Sequence, residues 1–251
     1  MAGEVQIQTV VQLIKFGRYR QFRVPKTATS FSCKPLYPTR RLTNMNIDNM
    51  KASKILIFIF AILAGLYGLT YLDFDLQHHF LKKRPEVRSS LLWQISFYTH
   101  VIAGIISVII GPFQFIEKSR IKNIKRHRNL GKLYVFIILV GSPFALYTGL
   151  NSNGGTYARI GFAVAAILWF VTTFKAYRYA RQKNFIQHKN WMVLSYSLTF
   201  SVVTLRLWLF SLWLGLGINF GIAFACASWL CWVPNLLVGQ LINSKLLLDK
   251  K

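Results

Sequence analysis

The chain has 251 residues, of which 53% are hydrophobic and only 15% charged, and its formal net charge is +24. A soluble domain of this size carries about a quarter charged residues, so the composition argues against a soluble enzyme and for a lipid environment. Nucleic acid is excluded as the partner of the basic excess, because the lysines and arginines sit in loops between apolar runs rather than along one soluble face.

Residues 1–44 are basic and hydroxyl-rich, with no acid between Glu4 and Asp48 and with Pro25, Pro35 and Pro38 blocking a long helix. They are expected to stand outside the fold. Three readings compete: an organelle presequence, a disordered cytoplasmic arm drawn to anionic lipid headgroups, or an upstream extension of a chain whose working start is Met45 or Met50. The transmembrane helical domain is then 45–251.

The first predicted span covers 54–72, with Ala61, Ala64, Gly65 and Gly68 at the spacings that let helices approach closely. An outer loop of mixed sign follows over 73–88. The second span, 91–115, contains no charged side chain, carries Gly104, Ser107 and Gly111 along one face, and ends near Pro112. At about 1.5 Å per residue it crosses a hydrocarbon core of about 30 Å. Lys118, Arg120, Lys122, Lys125, Arg126, Arg128 and Lys132 then come without an intervening acid, a density that insertion keeps cytoplasmic.

The third span is expected over 133–150, with a kink at Gly141-Ser142-Pro143. A short outer turn at 151–156 leads to the fourth span, about 158–174, and a second basic loop over 175–189. The fifth span, 191–214, opens at Trp191 and holds Arg206. The sixth, 218–241, follows Gly217 and carries Gly221 and Ala225, so that the three form a packing stripe at four-residue intervals. An all-α polytopic bundle of six transmembrane helices results. It leaves 25 basic residues inside and 5 outside, with Arg206 within a span, so both termini are expected in the cytoplasm.

Polar side chains inside spans are expensive and are the first place to look for function. His100, Arg206 and Cys226 all fall about 12 to 14 Å below the outer surface by residue count, with Tyr98, Thr99 and Thr204 within a turn of them. They form a candidate polar pocket in the outer half of the membrane. The plainer alternative is that Arg206 snorkels to the outer headgroups while His100 bonds a backbone carbonyl.

A second constellation lies at the inner face. His127 begins HRNLGK just before the third span and His188 begins HKNWM just before the fifth, among Arg128, Lys132 and Lys189. Helix N-termini with nearby cations suit an anion such as a lipid or soluble phosphate or the propionates of haem, and a facing histidine pair suits haem iron. An ordinary positive-inside loop with locally bonded histidines is the plain alternative. His78 and His79 belong to the outer loop. Cys33, Cys226 and Cys231 show no CxxC or zinc spacing, and there is no nucleophile motif, HExxH or glycine-rich phosphate loop.

The stretches HRNLGK, GFAVAAILWFVTTFKAYRYA and HKNWMVLSYSLTFSVVTLRLW together resemble a family of bacterial predicted membrane proteins, the domain of unknown function 2306. The likeness covers roughly 91–208 and rests on HRxxGK or HRxxGR, a tryptophan-containing helix, HxxWM and a closing TLR. It implies a multi-pass protein of the bacterial inner or plasma membrane with no established activity. By that match His127, Arg128, Gly131, His188, Trp191, Met192 and Arg206 are the family-motif positions, and the N-terminal arm lies outside.

The leading functional expectation is a membrane redox or ligand-binding module. His127 and His188 hold haem, a quinone or an anionic ligand there, and Arg128, Lys132 and Lys189 neutralise its charge. The alternatives are a transporter with His100 and Arg206 lining an outward pocket and Pro143 as hinge, or a structural partner that packs through Gly217, Gly221 and Ala225.

Overall fold

The computed structural model describes residues 47–71, 90–116 and 123–248, with side chains described for 56–71, 90–116 and 123–244. The basic arm 1–44 with Cys33, the segment 73–88 with His78 and His79, and Lys118, Arg120 and Lys122 lie outside the described residues. Among the described residues eight α-helices follow one another: α1 (Ile47–Leu69), α2 (Leu91–Gln114), α3 (Ile124–Leu150), α4 (Gly155–Arg181), α5 (Phe185–Thr199), α6 (Ser201–Phe210), α7 (Phe220–Leu230) and α8 (Val233–Leu248), with one π turn (Ser211–Gly215) after α6.

Five segments are long and apolar enough to cross a membrane: Leu91–Gln114, Ile124–Leu150, Gly155–Arg181, Phe185–Gly215 and Phe220–Ser244. A sixth long helix is α1, whose 23 residues make a rod of about 35 Å and include the shorter apolar stretch Leu56–Leu69. The chain is therefore an all-α polytopic membrane bundle. Its side-chain distribution agrees: Phe136 and Phe210 are each 65% exposed on the outside, whereas Ala61, Ala103, Ala158, Ser107, Ser195 and Ser228 are buried. Small residues inside and large apolar ones outside are what lipid solvation favours, because burial of Leu or Phe gains nothing against acyl chains.

Local chemistry sets where the helices start. Ser90 caps α2 by accepting from the Trp93 N–H at 3.5 Å, Asn123 caps α3 by accepting from the Arg126 N–H at 2.9 Å, and Asn184 caps α5 by accepting from the Gln187 N–H at 3.2 Å. The helices therefore reach beyond the hydrocarbon limits. Helix α3 starts at Ile124 rather than 133, α5 at Phe185 rather than Trp191, and α4 runs on to Arg181, so the expected basic loop 175–189 shrinks to 182–184. Hydropathy marks where apolar composition ends, and a capped helix continues past that point with Lys175, Arg178 and Arg181 in its last turns.

Packing joins α1 to α2, α2 to α3, α3 to α4, α4 to α5 and α7, and α5 to α8. The expected small-residue face of α1 is used as such: Ala61 and Ala64 are buried and the Ile105 and Ile109 side chains close over Gly68 and Gly65. A side chain at Gly141 would collide with Ala103, and one at Gly111 with the Tyr196 ring, so both glycines mark close approaches. The stripe expected on the last span is not the packed one. Gly217 lies in the loop before α7 with φ +66°, and α7 meets α4 through Ala223, Ala227 and Ser228, which faces Gly161. Helix α3 passes unbroken through Pro143.

Both of the last two crossings are broken at mid-length. The α5–α6 break is at Phe200 and the α7–α8 break at Cys231 and Trp232, just ahead of Pro234, which has no N–H to continue the ladder. The breaks are tied together. The Asn235 side-chain amide donates to the Ser197 carbonyl at 3.2 Å and to the Thr204 hydroxyl at 3.0 Å, and that hydroxyl donates to the Cys231 carbonyl at 2.6 Å. Carbonyls released by broken helices thus find side-chain donors from the neighbouring crossing, as an apolar environment demands.

Candidate functional site

Where α1, α2, α3, α4, the α5–α6 crossing and α7 diverge, they enclose a cavity of about 720 Å³. This volume falls within the ~300–1,000 Å³ of small-molecule sites. Its wall is mostly apolar, with Phe97, Val101, Ile105, Ala166, Leu205 and Phe224 among the lining residues. Tyr71, Trp93, the turn residues Asn151, Ser152 and Asn153, and Trp213 line the end nearest the α1–α2, α3–α4 and α6–α7 connections. That end is the one the charge distribution assigns to the outside.

His100 and Arg206 both line this cavity, from α2 and α6. The Arg206 guanidinium lies 4.7 Å from the centre of the Tyr67 ring and 6.0 Å from that of Tyr71, and one of its nitrogens, Nη1, donates to the Val202 carbonyl at 2.7 Å. Val202 is one turn back toward the middle of the crossing, so the side chain does not reach for the nearer helix end as snorkelling requires. The two tyrosines are four residues apart on consecutive turns, with their hydroxyls 3.4 Å apart. The His100 ring stands edge-on to Trp169, centroids 6.4 Å apart.

Several polar atoms of the cavity wall are buried and have no hydrogen-bond partner among the described residues: Trp93 Nε1, His100 Nδ1, Ser152 Oγ, Ser201 Oγ and Arg206 Nε. The same condition outside the cavity is met by atoms of Gln114, Ser142, Trp232 and Asn243. Each such group costs about 1–3 kcal/mol, and five of the nine belong to residues that line this one cavity. No acidic residue occurs in 49–72, 87–116 or 118–248, so no helix crossing brings a carboxylate to Arg206.

Beneath the cavity lies a satisfied polar cluster. The Trp169 indole N–H donates to the Thr199 hydroxyl at 2.9 Å, the Tyr134 hydroxyl bonds those of Thr199 and Ser195 at 2.9 and 3.1 Å, and Ser195 bonds Thr173 at 2.7 Å. Tyr134, Thr173 and Ser195 are fully buried. This cluster fastens α3, α4 and α5 together and fixes Trp169 against His100.

The inner-face residues sit apart from the cavity. His127 and His188 are each the fourth residue of a helix, α3 and α5, inside the first turn rather than just before it, and both are half-buried. The His188 Nδ1 lies 2.9 Å from the Ala176 carbonyl. Arg128, Lys132 and Lys189 are exposed, and Lys175 lies 4.4 Å over the Trp191 ring. No cluster of three or more metal-ligating side chains occurs among the described residues.

Of the residues expected around His100 and Arg206, Cys226 is exposed on the bundle exterior, and the cysteine at the cavity is Cys231. Thr204 serves the helix joint instead. Tyr67, Tyr71, Trp93, Ser152 and Ser201 belong to the site and were not expected there. A pair of tyrosines one turn apart at the end of the first span is the one signal that could have found Tyr67 and Tyr71.

Fold and cavity together define a multi-pass membrane protein with an internal, ligand-sized space. The family model described as predicted membrane protein (DUF2306) matches residues 97–243, more than half of the chain, and the chain belongs to that family. The match takes in α2 through α8, further than the likeness read from 91–208, and leaves α1 with Tyr67 and Tyr71 outside. No curated protein and no solved structure matches the chain.

Proposed function

We propose that this protein binds a small amphiphilic molecule in the cavity between α1, α2, α4 and α6, with His100 and Arg206 as its principal polar contacts. The observation that carries the reading is that Trp93, His100, Ser152, Ser201 and Arg206, each with a buried polar atom that has no hydrogen-bond partner among the described residues, all line that one mostly apolar space. A bound molecule that supplies hydrogen-bond partners to these atoms removes the cost of burying them. The charge distribution supports a cytoplasmic location of both termini and an outward-facing cavity, and the family supports a membrane location.

Gly104 offers a direct test, because it lines the cavity and a side-chain carbon added there meets nothing within 4 Å. In a background with Cys33, Cys226 and Cys231 replaced by serine, Gly104→Cys is expected to react with a small methanethiosulfonate reagent from the outer side. Dodecyl-chain amphiphiles are expected to slow that reaction. A thiol that stays inert, or a rate that no amphiphile changes, would refute the reading.

A transport role for the same cavity draws support from the paired helix breaks, since Ser201 and Cys231 lie both at a break and on the cavity wall. The inner-face pair has its own support. His127 and His188 hold the same position in two asparagine-capped helices, and a His188 tautomer that donates from Nδ1 to Ala176 leaves Nε2 as a lone-pair donor toward a metal or ligand. Arg128, Lys132 and Lys189 beside them suit anionic lipid headgroups or haem propionates. Oxidised and dithionite-reduced absorption spectra of the purified protein decide the haem part. A Soret band lost in both His127→Ala and His188→Ala supports it, and its absence from haem-replete membranes removes it.

A further inference from the structure

We infer that the cavity ligand is an organic anion, an apolar body ending in a carboxylate or phosphate that Arg206 neutralises. The inference rests on the cavity being a ligand site and adds the charge of what it holds.

Arg206 is a permanent cation inside a crossing, and no acid occurs in 49–72, 87–116 or 118–248 to pair with it. Its partners among the described residues are a backbone carbonyl through Nη1 and the faces of Tyr67 and Tyr71, while Nε is buried without a partner. A carbonyl dipole and two aromatic rings attract a cation but carry no net charge. The remaining unpartnered groups can all present donors, His100 Nδ1 in the tautomer that protonates it. The indole N–H of Trp93 is a donor only, and the hydroxyls of Ser152 and Ser201 can donate. A donor-rich wall around a guanidinium matches a group rich in lone pairs and negatively charged, and an Arg fork matches the two oxygens of a carboxylate or phosphate. A neutral acceptor such as a quinone carbonyl supplies the lone pairs without the charge. The apolar wall supplied by Phe97, Val101, Ile105 and Phe224 then holds the rest of the molecule.

The experiment uses the full chain in nanodiscs of zwitterionic lipid, with the Gly104→Cys thiol as reporter. Protection from labelling is measured for dodecanoate, dodecyl phosphate, dodecanol and methyl dodecanoate, which share a tail and differ in the head. The expected result is protection by one or both anions at concentrations about tenfold or more below those of the neutral compounds. The better anion separates a carboxylate from a phosphate ligand. Arg206→Leu is expected to abolish the difference between anion and alcohol, and Arg206→Lys, which keeps the charge and loses the fork, to keep part of it. Equal protection by alcohol, ester and anions would overturn the inference while leaving the cavity as a site for neutral ligands. Protection by none would overturn the cavity reading itself.

Discussion

Arg206 and Tyr134 show two opposite uses of polarity in one bundle. Tyr134 is fully buried, and its hydroxyl spans Ser195 and Thr199 on the neighbouring crossing, so every atom of that cluster works for the fold. Tyr134→Phe is expected to lower stability by about 1 kcal/mol, the size of an interhelical hydrogen bond in a membrane, read as a lower midpoint in thermal or denaturant unfolding. Arg206 instead bonds the Val202 carbonyl of its own helix and packs on the Tyr67 and Tyr71 rings. A mid-membrane arginine carries an insertion cost of about 2.5–3.5 kcal/mol, so Arg206→Leu is expected to leave thermal stability unchanged or raised while ligand binding is lost. A sharp fall in stability would make Arg206 a structural residue. His100 and Arg206 were legible in the sequence because ionisable groups inside apolar runs stand out. Their aromatic neighbours were not, because a tyrosine at the end of a span reads equally well as an interface anchor, and only the crossing of α1 against α6 turns Tyr67 toward the guanidinium.

At the scale of elements, composition located the six long helical segments, five of them long and apolar enough to cross, and missed how the last two are built. Hydropathy over 191–214 and 218–241 is continuous, and neither Phe200 nor Cys231 interrupts it; only Pro234 gave a local reason for a break. Capping extended α3 and α5 backward to Asn123 and Asn184, residues that a hydropathy reading assigns to loops. The two breaks depend on each other through Asn235, whose amide serves both the Ser197 carbonyl and the Thr204 hydroxyl. Asn235→Ala leaves the Ser197 carbonyl without that donor, so amide hydrogen exchange is expected to rise around 197–206 and 230–238 and to stay unchanged in α3 and α4. Unchanged exchange at the joint would show that the breaks are held by packing alone.

For the whole molecule, the crossings close into a bundle that is small-residue and hydroxyl-lined within and apolar without, and among them lies the cavity that meets His100 and Arg206. The family match spans the helices that form most of this cavity, while α1 closes it from one side with Tyr67 and Tyr71. Filling the space without disturbing the walls separates a ligand site from a mere packing gap. Native mass spectrometry of the gently solubilised protein beside Gly104→Phe is the most direct measurement, because Gly104 is a wall position where an added Cβ meets nothing within 4 Å. The expected result is an adduct of small-molecule mass on the unaltered protein and its loss from Gly104→Phe, with both forms equally folded by thermal unfolding. An adduct retained at equal occupancy in Gly104→Phe, or none on either form after exposure to dodecanoate and dodecanol, would contradict the cavity as the binding site.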